Sequence, residues 1–111
     1  MQLHKTEIGS RAVALRIDGR LNMVAAPRVR AAVEDVVRDG ANRVVIDLSD
    51  VTFMDSSGLG ALIAGLKTTR QAGGDLRIAA PAEQVAAVLK LTNLDRVLRP
   101  YGTPEAAADG W

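Results

Sequence analysis

The sequence predicts an α/β domain: a mixed β-sheet of about five strands with helices mainly on one face, in the order β-β-α-β-α-β-α-β-α. Three observations carry that prediction. Short β-branched apolar runs alternate with segments whose apolar residues recur at i, i+3, i+4 and i+7. The links between them are brief and rich in Gly, Pro and Asp, as in crossover units with right-handed connections. Two strand-like runs stand together before the first helix, separated only by Gly9-Ser10-Arg11. They predict a leading hairpin and so a mixed rather than purely parallel sheet.

Leu3 to Ile8 is the weaker of those two runs and ends at Gly9-Ser10. Ala12 to Ile17 (AVALRI) is the stronger, and Asp18-Gly19 is a turn dipeptide that stops it. Leu21 to Ala26 forms a connection. Pro27 suits the first turn of a helix, where its missing N–H costs nothing. Val29, Val33, Val36 and Val37 make that helix's apolar stripe among Arg28, Arg30, Glu34, Asp35 and Arg38, and Gly40 falls just past its end.

Val44 to Leu48 reads as a strand buried on both faces. Asp50, Asp55, Ser56, Ser57 and Gly58 then form a polar turn. Leu59, Leu62, Ile63 and Leu66 follow at helical spacing. Lys67 and Arg70 suit the C-terminus of that helix, which ends near Gly73-Gly74. Leu76 to Ala80 is a short strand. Pro81 opens a third helix carrying Val85, Val88 and Leu89, which fades at Thr92-Asn93. Val97-Leu98 is a short edge strand. Thr103-Pro104-Glu105 gives a cap, a Pro at the first helical position and a last short helix. The whole is read as one domain over residues 1–111, with its core over about 3–107 and a mobile tail from 108.

Composition narrows the function classes. The chain has 111 residues, 48% hydrophobic and 24% charged, with a formal net charge of +1. That length supports one core. The charge balance gives no reason to expect nucleic acid as a partner. Cys is absent, which removes disulfides, thiolate metal sites and a Cys nucleophile. No signal peptide and no membrane-spanning run is visible, so a cytoplasmic protein without membrane insertion is expected. The apolar stripes are consumed by a single core, which fits a monomer or weak dimer.

An enzyme finds little to work with. His4 is the only histidine, near a terminus, and reads as solvated. Ser57 is not in a G-x-S-x-G elbow. Gly58-x-Gly60 is too short for a dinucleotide loop, and no Walker lysine follows. Asp47, Asp50 and Asp55 are oxygen donors of the kind Mg²⁺ uses, but loop and cap roles account for them. No catalytic residue, metal ligand or cofactor is expected.

The turn at Asp55-Ser56-Ser57 stands out instead. It lies at the carboxyl end of the expected central strand, where α/β sheets present functional groups. Either serine serves as an N-cap, yet a cap needs one side chain and three are offered. A phosphoserine there adds about −1.5 to −2 charges. The helix N-terminus favours it by about 0.3–1 kcal/mol, and repulsion from Asp55 roughly offsets that. The fold is therefore expected to survive. A docked partner with a carboxylate about 6 Å away is repelled by about 1–3 kcal/mol per unit charge. Two such charges weaken binding about tenfold to a thousandfold.

Asp47-Leu48-Ser49-x-Val51-x-x-x-Asp55-Ser56-Ser57-Gly58-Leu59-Gly60 closely resembles the signature of the STAS domain, in particular that of the small bacterial anti-sigma factor antagonists. Gly19-x-Leu21 and Leu91-Thr92-Asn93-Leu94-Asp95-x-Val97-Leu98 fit the same family, so the resemblance spans about Leu3 to Ala107. It implies a STAS-like fold and a non-enzymatic binding protein. The implied partner is an anti-sigma factor that is itself a serine kinase of the histidine-kinase-like ATPase class. Unphosphorylated antagonist holds this partner and frees the sigma factor. Phosphorylation of the serine before Gly-Leu, here Ser57 with Ser56 as the alternative, switches it off, and a PP2C-type phosphatase restores it. ATP belongs to the kinase.

The implied contact surface is Asp55, Ser56, Ser57, Gly58 and Leu59 with the loop from Gly19 to Ala25, including Asn22 and Met23. The chain departs from the family in that loop. Asn22 stands where many members carry an acidic residue, and Ala25 where they carry a hydroxyl. That departure leaves room for another STAS role, as an adaptor subunit of a membrane transport complex or signalling assembly.

Overall fold

The computed structural model describes residues 1–9 and 11–111; Ser10, at the expected hairpin turn, lies outside the described residues. The elements are β1 (Gln2–Gly9), β2 (Ala12–Leu21), α1 (Ala26–Arg38), β3 (Arg43–Met54), α2 (Ser56–Gln71), β4 (Asp75–Ala79), α3 (Glu83–Leu91), a 3₁₀ turn (Leu94–Arg96), β5 (Pro100–Tyr101) and α4 (Pro104–Ala108). The five strands form one sheet in the order β1-β2-β3-β4-β5. β1 and β2 are antiparallel, and every other neighbouring pair is parallel. The mixed sheet and the element order expected from the sequence are both present.

Alternation decides which helix covers which face. Val13, Leu15 and Ile17 of β2, Val44, Ile46 and Leu48 of β3, and Leu76 and Ile78 of β4 point to one side. There they meet Val29, Val33 and Val36 of α1, Leu62 and Leu66 of α2, and Val85 and Leu89 of α3. Three helices thus share one face. On the other face Val45 and Ala79 pack with Ala107 of α4. Arg77 helps to hold α4 there: its Nη1 donates to the Ala107 carbonyl at 2.7 Å, and its guanidinium lies 4.4 Å from the centre of the Trp111 ring.

Four boundaries differ from expectation. β2 does not stop at Asp18-Gly19 but runs to Leu21, with Gly19 inside the strand at φ +100°. β3 does not end at Leu48; it continues through Asp50 to Met54, so Asp50 belongs to the strand and not to the turn. Both go with two register shifts in the β2–β3 pairing, one between Arg16 and Asp18 and one between Gly19 and Arg20. Between the pairs Arg16–Asp47 and Leu21–Met54, β2 advances five residues and β3 seven. β3 therefore carries two bulged residues, and its inward positions change from Val44, Ile46, Leu48 to Val51 and Met54.

At the other end of the sheet, α3 starts at Glu83 rather than at Pro81, because Ala80 at φ +53° and the extended Ala82 turn the chain first. The last strand is Pro100–Tyr101, not Val97-Leu98. Leu94–Arg96 winds into a 3₁₀ turn, and Leu98 then drops into the core from a loop, 1% exposed.

Candidate functional site

The extended ends of β2 and β3 place the site. They finish side by side at Leu21 and Met54, and each chain then turns into a helix. The loop Asn22–Ala25 and the start of α2 are thereby brought together at the carboxyl edge of the parallel strands, where such sheets present functional groups.

Asp55 is the N-cap of α2. Its backbone is extended, and its Oδ1 accepts the Gly58 amide at 2.9 Å. Its Oδ2 accepts the Met23 amide at 3.2 Å. One carboxylate therefore fastens the α2 start to the β2–α1 loop. Of the three side chains that the sequence offered as caps, Asp55 takes the role. Ser56 and Ser57 are the first two residues of the helix proper, Ser56 exposed and Ser57 half-buried. Their own amides have no acceptor one turn back, and the positive end of the helix dipole lies at these residues.

Gly58 shows how tightly the two segments meet. A Cβ there would overlap the carbonyl oxygen of Leu21 and come 2.8 Å from the Leu21 side chain. Gly58 and Leu59 are both buried, so they support the turn from beneath, while Ser56, Ser57, Asn22 and Met23 face outward or lie at the rim. Asn22 organises the loop: its Oδ1 accepts the amides of Val24 and Ala25, each at 3.1 Å. Ala25, the N-cap of α1, supplies no side-chain cap. Met23 and Val24 are held out to solvent, 71% and 78% exposed.

A further residue stabilises the turn from the other side. β3 outruns its pairing with β4, which ends at Asp47–Ala79. Gln84 of α3 fills the gap at Met54, accepting the Met54 amide at 2.8 Å and donating to its carbonyl at 3.0 Å. Nothing in the sequence signals this, because the contact is between a side chain and a backbone 30 residues away.

The other candidate ligands disperse. Asp47 accepts from the Ser49 hydroxyl and amide, Asp50 pairs with Arg16, and His4 faces Asp18 at 3.3 Å. Among the described residues no group of three or more His, Cys, Asp or Glu side chains is arranged to hold a metal ion. No helix among them is long and apolar enough to cross a membrane.

Residues 4–107 match the family model of the STAS domain. The chain belongs to the STAS domain family. A provisionally named anti-sigma factor antagonist of Thermotoga maritima is 37% identical over 76 residues, covering 68% of this chain and 67% of that one. The crystal structure of a Thermotoga maritima protein given the same provisional name superposes with a TM-score of 0.83 at 34% identity, covering 93% of this chain and 88% of the other. An anti-sigma factor antagonist from Mycobacterium paratuberculosis superposes with a TM-score of 0.80 at 29% identity, over 96% and 91% of the two chains. In this STAS domain the signature run Asp47–Gly60 thus covers the bulged end of β3, the Asp55 cap and the first residues of α2.

Proposed function

We propose that this STAS domain is an anti-sigma factor antagonist whose grip on its partner is switched by phosphorylation of Ser57. The observation that carries the reading is the division of labour at the α2 start. Asp55 alone caps the helix and ties it to the Met23 loop, so the hydroxyl of Ser57 is not needed to build the turn. It stands at a helix N-terminus that Asp55 ties to the loop carrying two exposed apolar side chains, which is where an added dianion changes contacts rather than architecture. Ser56 is the alternative acceptor. The names of the relatives support the partner class, an anti-sigma factor, and the resemblance of the signature points to one that is itself an ATP-dependent serine kinase, opposed by a PP2C-type phosphatase.

In this reading the unmodified chain holds the anti-sigma factor through Asn22, Met23 and Ser57, with Asp55, Gly58 and Leu59 fixing their positions, and the sigma factor is free. No cofactor is bound by the chain, and it performs no catalysis of its own.

The test is incubation with each candidate anti-sigma kinase and ATP, followed by mapping of the phosphate by mass spectrometry. Modification of Ser57 by one of them, absent in Ser57→Ala, is expected. Phosphate on Ser56 alone moves the switch to the alternative acceptor; phosphate on neither serine, with every kinase that binds, contradicts the reading.

A further inference from the structure

The rim of the site has a charge pattern unlike the rest of the chain. From Gly19 to Val33 there are three arginines, Arg20, Arg28 and Arg30, and no carboxylate. This segment is therefore +3 while the whole chain is +1. Among the described residues none of the three makes an ion pair. Arg16, Arg38, Arg70 and Arg77 each lie within 4.0 Å of an Asp oxygen. Arg11, Arg43, Arg96 and Arg99 are unpaired among the described residues too, so what sets this segment apart is three such cations with no carboxylate between them.

Two of the three cations, Arg20 and Arg28, are oriented by uncharged contacts that leave the charge without an ion pair. Arg20 lies over the Phe53 ring at 4.5 Å. Arg28 Nη1 donates to the Met1 carbonyl at 3.1 Å. Arg30 reaches the first turns of α2, with Nη2 3.6 Å from where a Cβ on Gly60 would stand. Arg20 and Arg28 flank an open depression of about 460 Å³ that Val24 also lines. Met23 and Val24, two of the most exposed large apolar side chains, project beside it, and the Asp55–Met23 hydrogen bond joins this surface to the start of α2, where Ser57 lies.

We propose that this surface docks a protein whose own face presents an apolar hollow rimmed by Asp and Glu side chains. The inference rests on the antagonist reading and names the chemistry of the partner's contact face. Met23 and Val24 supply the desolvated centre of the contact. Guanidinium groups supply register and speed of encounter through bidentate pairing with carboxylates. The same arrangement explains how one phosphate acts twice. On Ser57 it attracts guanidinium groups of the same rim, of which Arg30 reaches the first turns of α2, and it repels the carboxylates that those groups would have received.

The test is calorimetric titration of the full chain against each purified anti-sigma factor of the source organism, at low and at high salt. Arg20→Glu/Arg28→Glu/Arg30→Glu is expected to weaken binding by about tenfold or more at low salt, and the deficit should shrink several-fold at high salt. The corresponding triple Lys variant keeps the charge but loses the bidentate fork, so it should fall between wild type and the triple Glu variant while keeping the wild-type salt dependence. Met23→Ser/Val24→Ser should weaken binding at both salt concentrations. Circular dichroism and the melting temperature of each variant report whether it is folded.

Binding by the triple Glu variant as tight as or tighter than wild type overturns the proposal. So does loss, in that variant, of wild-type attachment to phosphatidylserine vesicles while protein binding is unchanged, because the arginines would then serve a membrane. If wild type binds none of the anti-sigma factors, the antagonist reading fails and this proposal falls with it. If wild type binds and the charge reversal has no effect, only this proposal fails.

Discussion

Asp55 accepts the backbone amide of Met23 at 3.2 Å, a bond that spans 32 positions of sequence and joins the two segments of the candidate site. The other oxygen of the same carboxylate caps α2 through Gly58. Removing the side chain should therefore do two things. Asp55→Ala is expected to lower stability by about 1–2 kcal/mol, as the loss of a well-formed N-cap does. It should also speed hydrogen exchange at the Met23 amide. Denaturant unfolding and amide exchange by NMR measure the two effects. Loss of stability with unchanged exchange at Met23 would show that the link between the loops is not maintained by this carboxylate.

Ser57→Ala should behave in the opposite way. With the cap supplied by Asp55, the substitution is expected to change unfolding free energy by no more than about 0.5 kcal/mol, the usual range for a surface change without a special role. A loss of more than about 1 kcal/mol in denaturant unfolding would mean that the hydroxyl is structural.

Gly58→Ala introduces a methyl group where the Leu21 carbonyl already stands. The approach is between α2 and the end of β2, so relief requires backbone movement. A destabilisation of about 1–3 kcal/mol is expected from overpacking of this kind, accompanied by shifted NMR resonances at Leu21 and Asn22. Wild-type stability in thermal unfolding would contradict the close approach.

Gln84→Leu leaves the Met54 amide and carbonyl without their side-chain partner. Such half-buried groups cost about 1–3 kcal/mol when left unpaired. Gln84→Glu keeps the acceptor for the Met54 amide and loses the donor to its carbonyl, so it should fall between the two. Exchange at the Met54 amide distinguishes a local effect from general loosening. It should rise sharply in the Leu variant and remain protected in the Glu variant.

The sequence made the repetitive parts of the fold legible and hid its departures from repetition. Val29, Val33 and Val36 mark one helix face, and Val44, Ile46 and Leu48 one strand face, because packing against a common core forces a period. The last third of β3 breaks that period. Two bulged residues turn Leu48, Val51, Met54 into spacings of three, so Asp50 reads as part of a turn although it lies in the strand. Asp18-Gly19 misleads in the same way, since the dipeptide that favours a turn lies here inside β2, between the two register shifts of its pairing with β3.

At the site, the residue types were legible and their division of roles was not. Asp55, Ser56 and Ser57 are interchangeable as caps on paper; the extended backbone of Asp55 and its bond to the Gly58 amide assign the cap to it. Gln84 left no trace in the sequence because a side chain that pairs with a distant backbone imposes no spacing. Trp111 stacks on Arg77, a pairing that likewise has no local pattern.

The measurement that bears most directly on the account compares the phosphoserine-57 protein with the unmodified protein, made in parallel and titrated against the same anti-sigma factor. Binding weaker by about tenfold to a thousandfold, with superimposable circular dichroism and dispersed NMR spectra for both forms, is the expected result. Equal affinity of the two forms, or collapse of the tertiary structure on phosphorylation, would contradict it.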